Sequence, residues 1–204
     1  MRKWLGVTSV EYDTDDPLGA VVALVTLAPV YCVVAYTTSL CVRRDLQTAV
    51  MFAGQMLNFG FNFVLKRALD APRPAGAPPS DDQGGMPSNH AQFVWFTAAF
   101  GCLFACRMSA LRRPVREGMC LGLVGIAAAV AYSRVRLGYH TPDQVAVGAA
   151  VGAAAGAAWW GLYEAVLAAP LRALCCRPGA WLLVDVRDAR EATALMRARH
   201  AKGA

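Results

Sequence analysis

Charge is scarce in this chain. Asp, Glu, Lys and Arg make up 17% of its 204 residues, where a soluble domain carries about a quarter. Histidine is scarcer still: His90, His140 and His200 are the only three. The seven cysteines avoid the loop around Pro72–Gly85 and stand at no metal-ligand spacing with histidine. That argues against a zinc site or a disulfide framework. They read as reduced, buried, inert thiols, and only Cys175–Cys176, between Arg172 and Arg177, is a candidate for palmitoylation. No Lys/Arg tract accompanies the net charge of +6, so nucleic acid is not the expected partner. No cleavable signal peptide is expected, because Met1–Asp16 is too polar, with Glu11, Asp13, Asp15 and Asp16. The first apolar run is expected to act as the insertion signal itself.

What the chain has instead is apolar length. Hydrophobic residues make up 56% of it and the mean hydropathy is +0.37. They come in long runs parted by short polar stretches. A spanning helix needs about 20 mostly apolar residues. The candidates are Leu18–Val42, Leu46–Leu65, Ala91–Met108, Met119–Tyr132 and Asp143–Leu167. The fourth is short, and either borrows Val115–Gly118 or runs past Ser133. The expected fold is therefore all-α: a polytopic membrane bundle of about five transmembrane helices. Residues 1–17 form an N-terminal segment, 18–169 the embedded domain and 170–204 a basic tail.

Within the spans, Gly148, Gly152 and Gly156 recur every fourth residue, a smooth stripe that lets another helix approach closely. Trp159, Trp160 and Tyr163 fit an interfacial aromatic belt. Asn58 and Asn62 stand one turn apart and share a face. Either they reach toward a site or they hydrogen-bond between helices.

Five spans put the termini on opposite sides. Arg43, Arg44, Arg107, Arg112, Arg113, Arg116, Arg172 and Arg177 gather on one side. With Lys66, Arg73 and Arg134 set aside, the other side carries Arg2, Lys3, Arg67 and Arg136. The positive-inside rule then puts the tail in the cytosol and the N-terminus across the membrane. In a eukaryotic endomembrane that far side is the lumen.

Three polar stretches fall at span ends on that far side: Lys66–Pro74, Gly85–His90 and Ser133–Gln144. Phosphoryl transfer needs the charge on the phosphoryl oxygens neutralised, a nucleophile in line and support for the leaving oxygen. Lys66, Arg73 and Arg134 supply three positive charges. The Ser88 hydroxyl and the N–H groups near Ser88–Asn89 supply donors at a helix start, where an anion is favoured. No Asp/Glu cluster suited to Mg²⁺ accompanies them, so protein cations are expected to replace a metal. One neutral imidazole, of His90 or His140, can attack phosphorus. The other can give a proton to the leaving group. The residue types alone leave open which does which.

These stretches resemble the signature of the type 2 phosphatidic acid phosphatase superfamily, which also includes the vanadium haloperoxidases: K-x₆-R-P, P-S-G-H and S-R-x₅-H-x₃-D. Here they read Lys66, Arg73 and Pro74; Pro87-Ser88-Asn89-His90, with Asn for Gly; and Ser133-Arg134 with His140. The resemblance implies that Lys66, Arg73, Ser88, Asn89 (through its backbone) and Arg134 hold phosphate. It makes His140 the nucleophile and His90 the general acid; no cofactor or metal is expected. The signature's Asp, four residues after the nucleophile, is here Gln144, and Asp143 stands one residue early. Spacing favours Gln144 as the group that orients His140, with Asp143 the alternative.

The likeness extends further. Val10-Glu11-Tyr12, Leu27-Ala28-Pro29-Val30, Arg44-Asp45-Leu46, Leu57-Asn58, the GMPS-x-H-x-QF-x-WF of Gly85–Phe96 and the YSRV-x-L-x-YHT-x-x-QV of Tyr132–Val145 resemble the dolichyldiphosphatase group, in which Gln at position 144 is expected. That implies hydrolysis of dolichyl diphosphate to dolichyl phosphate and phosphate through a phosphohistidine. It implies a multi-pass protein of the endoplasmic reticulum membrane, with a lumenal site and a lipid substrate, serving protein N-glycosylation. The alternatives are the same chemistry on phosphatidate, a sphingoid phosphate or another polyprenyl diphosphate, and, in another class, a non-catalytic lipid-binding scaffold.

Overall fold

The computed structural model describes residues 10, 12, 15–42, 44–78, 84–108 and 112–175. Arg2, Lys3, Arg43, Cys176, Arg177 and His200 lie outside them, as does most of the 170–204 tail. Every regular element described is helical. Helices α1 (Gly19–Thr26) and α2 (Ala28–Val42) make one pass. It breaks just before Pro29, which has no N–H to continue the ladder. Leu27 N–H closes a tighter turn on Leu24 O at 3.1 Å.

Helix α3 (Leu46–Leu69) starts on Asp45, whose carboxylate accepts Thr48 N–H at 2.8 Å. It stops at Asp70, in the left-handed region at φ 41°. Helix α4 is Asn89–Arg107 and α5 is Arg113–Arg136, with Pro114 in its first turn. The fourth expected span thus grows at both ends. Helix α6 (Pro142–Leu162) opens on a capping box of Thr141 and Gln144. One π-helical turn, Tyr163–Leu167, joins it to α7 (Ala168–Cys175).

The chain is a multi-pass membrane protein. Among the described residues Gly19–Val42, Leu46–Leu69, Arg113–Arg136 and Pro142–Leu174 are long and apolar enough to cross a bilayer. Leu57, Phe59, Phe61, Phe63 and Val64 on α3 and Leu121 and Ile126 on α5 stand exposed, a wall of large apolar side chains that lipid can cover and water would penalise. Helix α4 lies at the centre, packed on α3, α5 and α6.

The glycine stripe explains the closest packing. A Cβ on Gly148, Gly152 or Gly156 would run into the carbonyl oxygen of Ser88, Gln92 or Phe96. Two rows of period four therefore mesh, backbone against backbone. The tryptophans do not form an interfacial belt. Trp160 and Tyr163 are buried with Phe96 and Phe100 in the core, and Trp159 donates to Val50 O at 2.8 Å. Helix α6 is so smooth nearer its start that its bulky end must fill the space between α3 and α4.

Of the five described free cysteines, Cys32, Cys102 and Cys120 are half-buried, whereas Cys41 and Cys106 face outward. The expectation of buried thiols fails for those two, because the outer face of a membrane helix is also apolar.

Candidate active site

Four helix ends and the loops between them meet at one pole of the bundle. Lys66 sits in the last turn of α3, 3% exposed, and donates to Gly84 O at 3.1 Å. Arg134 sits in the last turn of α5, 5% exposed. Its Cζ lies 3.8 Å from the centroid of the Tyr139 ring. Arg73 comes from the loop after α3, and its Nε and Nη1 are shut off from solvent.

Ser88 is the N-cap of α4, yet its hydroxyl caps nothing. A serine there ordinarily accepts an N–H of the first turn. Here Oγ is buried and has no hydrogen-bond partner among the described residues. A buried polar atom left so is waiting for a ligand atom or costs stability. No acidic residue occupies the first turn of α4, so the positive end of the helix is open to an outside anion. The Ser88 N–H is taken by Gln144 O at 3.0 Å. That removes it from the expected donors and leaves Asn89 N–H, at the helix start, with those that follow.

His140 is 3% exposed. Its Nδ1 lies 3.0 Å from Gly85 O and 3.2 Å from Gln144 Oε1. Both neighbours can only accept, so Nδ1 must carry the proton and Nε2 keeps its lone pair. The Gln144 amide cannot be turned round. Its Nε2 donates to Pro72 O at 2.8 Å, and its Oε1 accepts Thr141 N–H at 3.2 Å. Asp143 is exposed on the outside of the same turn. Burial, then the Arg134 guanidinium, push the His140 pKa down to about 4, with Lys66 and Arg73 adding to the shift. The Gln144 hydrogen bond opposes them. His90, half-buried on the first turn of α4, lies within the fields of Arg134, His140, Lys66 and Arg73. Both histidines and all three cations are therefore gathered at one place, beside Ser88.

The profile of the PAP2 superfamily matches residues 46–167, which span every one of these groups. The chain belongs to the PAP2 superfamily. It is 36% identical over 170 residues to "Dolichyldiphosphatase 1" of Homo sapiens, covering 79% of this chain and 71% of that one. The protein of that name from Dictyostelium discoideum is 36% identical over 166 residues, covering 78% and 70%. "Lipid phosphate phosphatase gamma" of Arabidopsis thaliana is 32% identical over 170 residues, covering 81% and 75%. The crystal structure of a transmembrane PAP2-type phosphatidylglycerolphosphate phosphatase from Bacillus subtilis shares the fold. Its TM-score is 0.62 at 20% identity, over 72% of this chain and 77% of that one. As a PAP2 member the chain is an enzyme, a membrane phosphatase.

The PAP2 motifs do not stand alone: residues with no role in the superfamily signature support them. Gln92, fully buried on α4, is gripped by α3: Asn62 Nδ2 donates to its Oε1 at 2.7 Å, and its Nε2 donates to Asn58 Oδ1 at 2.8 Å. Asn62 also reaches Pro87 O at 3.3 Å. The two asparagines thus bond between helices and steady the turn that carries Ser88. Gly85 has no room for a side chain, since a Cβ would strike Pro72 and the Gln144 amide. Its N–H bonds to Ala71 O at 2.6 Å, so the loop of Arg73 is tied to the loop of Ser88. Thr26, which touches Arg134, is missing from the motif reading, and Tyr139, which also touches it, stands in the Tyr132–Val145 stretch without an assigned role.

Proposed function

We propose that this PAP2 enzyme hydrolyses dolichyl diphosphate to dolichyl phosphate and phosphate, through a phosphohistidine on His140. The observation that carries the reading is the pair of carbonyl oxygens set against His140 Nδ1. With Nδ1–H held by two carbonyl oxygens, Nε2 is a free nucleophile at neutral pH. It attacks the terminal phosphorus, and the bond to the bridging oxygen breaks. Dolichyl phosphate leaves with a proton from His90, whose pKa burial and then Arg134 hold low in the free enzyme and which the bound diphosphate, by offsetting the cations, raises. Water then gives a proton to His90, attacks phosphorus and breaks the P–N bond, releasing phosphate and neutral His140.

Lys66, Arg73, Arg134, the Ser88 hydroxyl and Asn89 N–H hold the phosphoryl oxygens in this scheme, and Gln144 rather than the exposed Asp143 orients the nucleophile. The protein cations do the charge neutralisation a metal would otherwise do. The donor set suits that: among the described residues no three of His, Cys, Asp or Glu come together as metal ligands. The named dolichyldiphosphatases among the relatives support the choice of lipid. The Arabidopsis relative, named only for a lipid phosphate, keeps phosphatidate as the competing substrate. The charge bias supports a site on the non-cytosolic side, hence the lumen of the endoplasmic reticulum, where this substrate would be recycled for protein N-glycosylation.

The test is phosphate release from dolichyl diphosphate by the purified chain in excess EDTA, with phosphatidate as competitor. Undiminished release, an acid-labile phosphoenzyme and loss of both in His140→Ala are expected. A phosphomonoester leaves more easily than an alkoxide, so His90→Ala should keep measurable turnover. Equal and complete loss in both variants would contradict that ranking, and faster turnover of phosphatidate would reassign the substrate.

A further inference from the structure

We propose that Thr26, the last residue of α1, is a positioning residue for Arg134. The proposal rests on the reading of Arg134 as a phosphate ligand. Thr26 is fully buried, and its Oγ1 accepts the Arg134 Nη1–H at 3.0 Å across 108 residues of sequence. It lies in the first membrane pass, outside the region 46–167 that matches the family. A guanidinium is a flat, rigid fork of five N–H donors. Placing it takes two constraints, the tilt of its plane and the rotation within that plane. The Tyr139 ring, 3.8 Å from Cζ, sets the tilt. The Thr26 hydroxyl sets the rotation, and the directions of the other donors follow.

The chemistry of the anchor matters too. A carboxylate there would grip harder but cancel the charge meant for the phosphate. A hydroxyl holds the fork and leaves the charge whole. The anchor is itself fixed. Helix α1 packs on α5, and Asp16 just ahead of it pairs with Arg136 at 2.9 Å. The break before Pro29 ends α1 at Thr26, so α1 is fastened to the last turn of α5 at both of its ends, by Arg136 at the start and Arg134 at the finish.

A double-mutant cycle on the purified full chain tests this, read as kcat/KM for dolichyl diphosphate and as competitive inhibition by inorganic phosphate. Thr26→Val should lower kcat/KM about tenfold and weaken phosphate inhibition similarly, the order expected for losing a hydrogen bond to a charged group. Thr26→Ser should restore both. In an Arg134→Lys background, Thr26→Val should change kcat/KM less than about twofold, because coupled residues are not additive. If Thr26→Val does not yield folded protein, Thr26→Ala replaces it in the cycle. Equal losses in both backgrounds, no loss in Thr26→Val, or failure of Thr26→Ser to restore activity overturns the proposal. Wild-type activity in Arg134→Lys alone overturns the phosphate-ligand reading instead, and the positioning role falls with it.

Discussion

At the scale of single residues, Gln144, one of the two positions that depart from the superfamily signature, has both ends of its amide engaged. Gln144 is at once the third residue of a capping box, the partner of His140 and a donor to the Arg73 loop. A neutral amide does all three, whereas a carboxylate would face the Pro72 carbonyl with no proton to give. Gln144→Ala should therefore lower kcat at least tenfold, the order of one lost hydrogen bond within a network. Asp143→Ala should stay within about twofold of wild type, as expected of a surface position away from the network. Steady-state phosphate release distinguishes them, and the reverse ranking would move the orienting role to Asp143. The same environment fixes a pH dependence. Burial and then Arg134 depress His140 to about 4, so the free nucleophile persists well below the ordinary histidine range. Corrected for the ionisation of the free diphosphate, the acid limb of kcat/KM should lie near pH 4 rather than near 6.5, since this parameter reports the free enzyme and the free substrate. Gln144→Glu, which places a carboxylate beside the ring, should move that limb to higher pH. A wild-type limb at about 6.5, the ordinary value, would mean that His140 is solvated or is not the nucleophile.

At the scale of elements, some of this was readable in the chain and some was not. The glycine stripe of α6 announced a close helix contact, because small residues at period four smooth one face of a helix for a neighbour. Its partner stripe, the carbonyls of Ser88, Gln92 and Phe96, could not be read, since backbone has no sequence signature. Thr141-Pro142-Asp143-Gln144 is a capping box in plain letters, and it marks Gln144 as structurally engaged. Thr26 gave no signal, because a lone threonine in an apolar run looks like any other. The aromatic end of α6 misled for a related reason: Trp and Tyr near a span end suit both an interface and a core, and only packing decides. The stripe yields a paired prediction. Gly152→Ala should destabilise the bundle by about 1–3 kcal/mol, the cost of overpacking a tight core. A Cβ at Gly161 meets nothing within 4 Å, so Gly161→Ala should be neutral or slightly stabilising through helix propensity. Thermal unfolding in one detergent compares them, and equal effects would mean that α4 and α6 are not in backbone contact.

At the scale of the whole molecule, the bundle is electrically polarised, and that polarity bears on which side the site faces. At the pole opposite the site the described residues include Arg44, Arg107, Arg112, Arg113, Arg116 and Arg172. Some of these meet carboxylates: Arg107 approaches Glu164 at 3.5 Å and Arg113 pairs with Glu117 at 2.7 Å. At the site pole, apart from the three phosphate-binding candidates, the described cations are Arg67 and Arg136, and Arg136 is paired with Asp16. Orientation counts Lys and Arg near span ends and gives acids little weight. The proposed orientation therefore keeps the arginine-rich side in the cytosol even where its charges are paired, with the site opening on the other side. The prediction is tested in sealed vesicles of endoplasmic reticulum, with native thiols replaced. Exposed Ala75, in the loop of Arg73, and exposed Arg112, before α5, mark the two poles. A membrane-impermeant maleimide should label Arg112→Cys at once and Ala75→Cys only after detergent. The opposite pattern would put the phosphate site in the cytosol. Because the site cations are set aside in the count, such a result would also mean that Lys66, Arg73 and Arg134 act as topological charges during insertion before they act on phosphate.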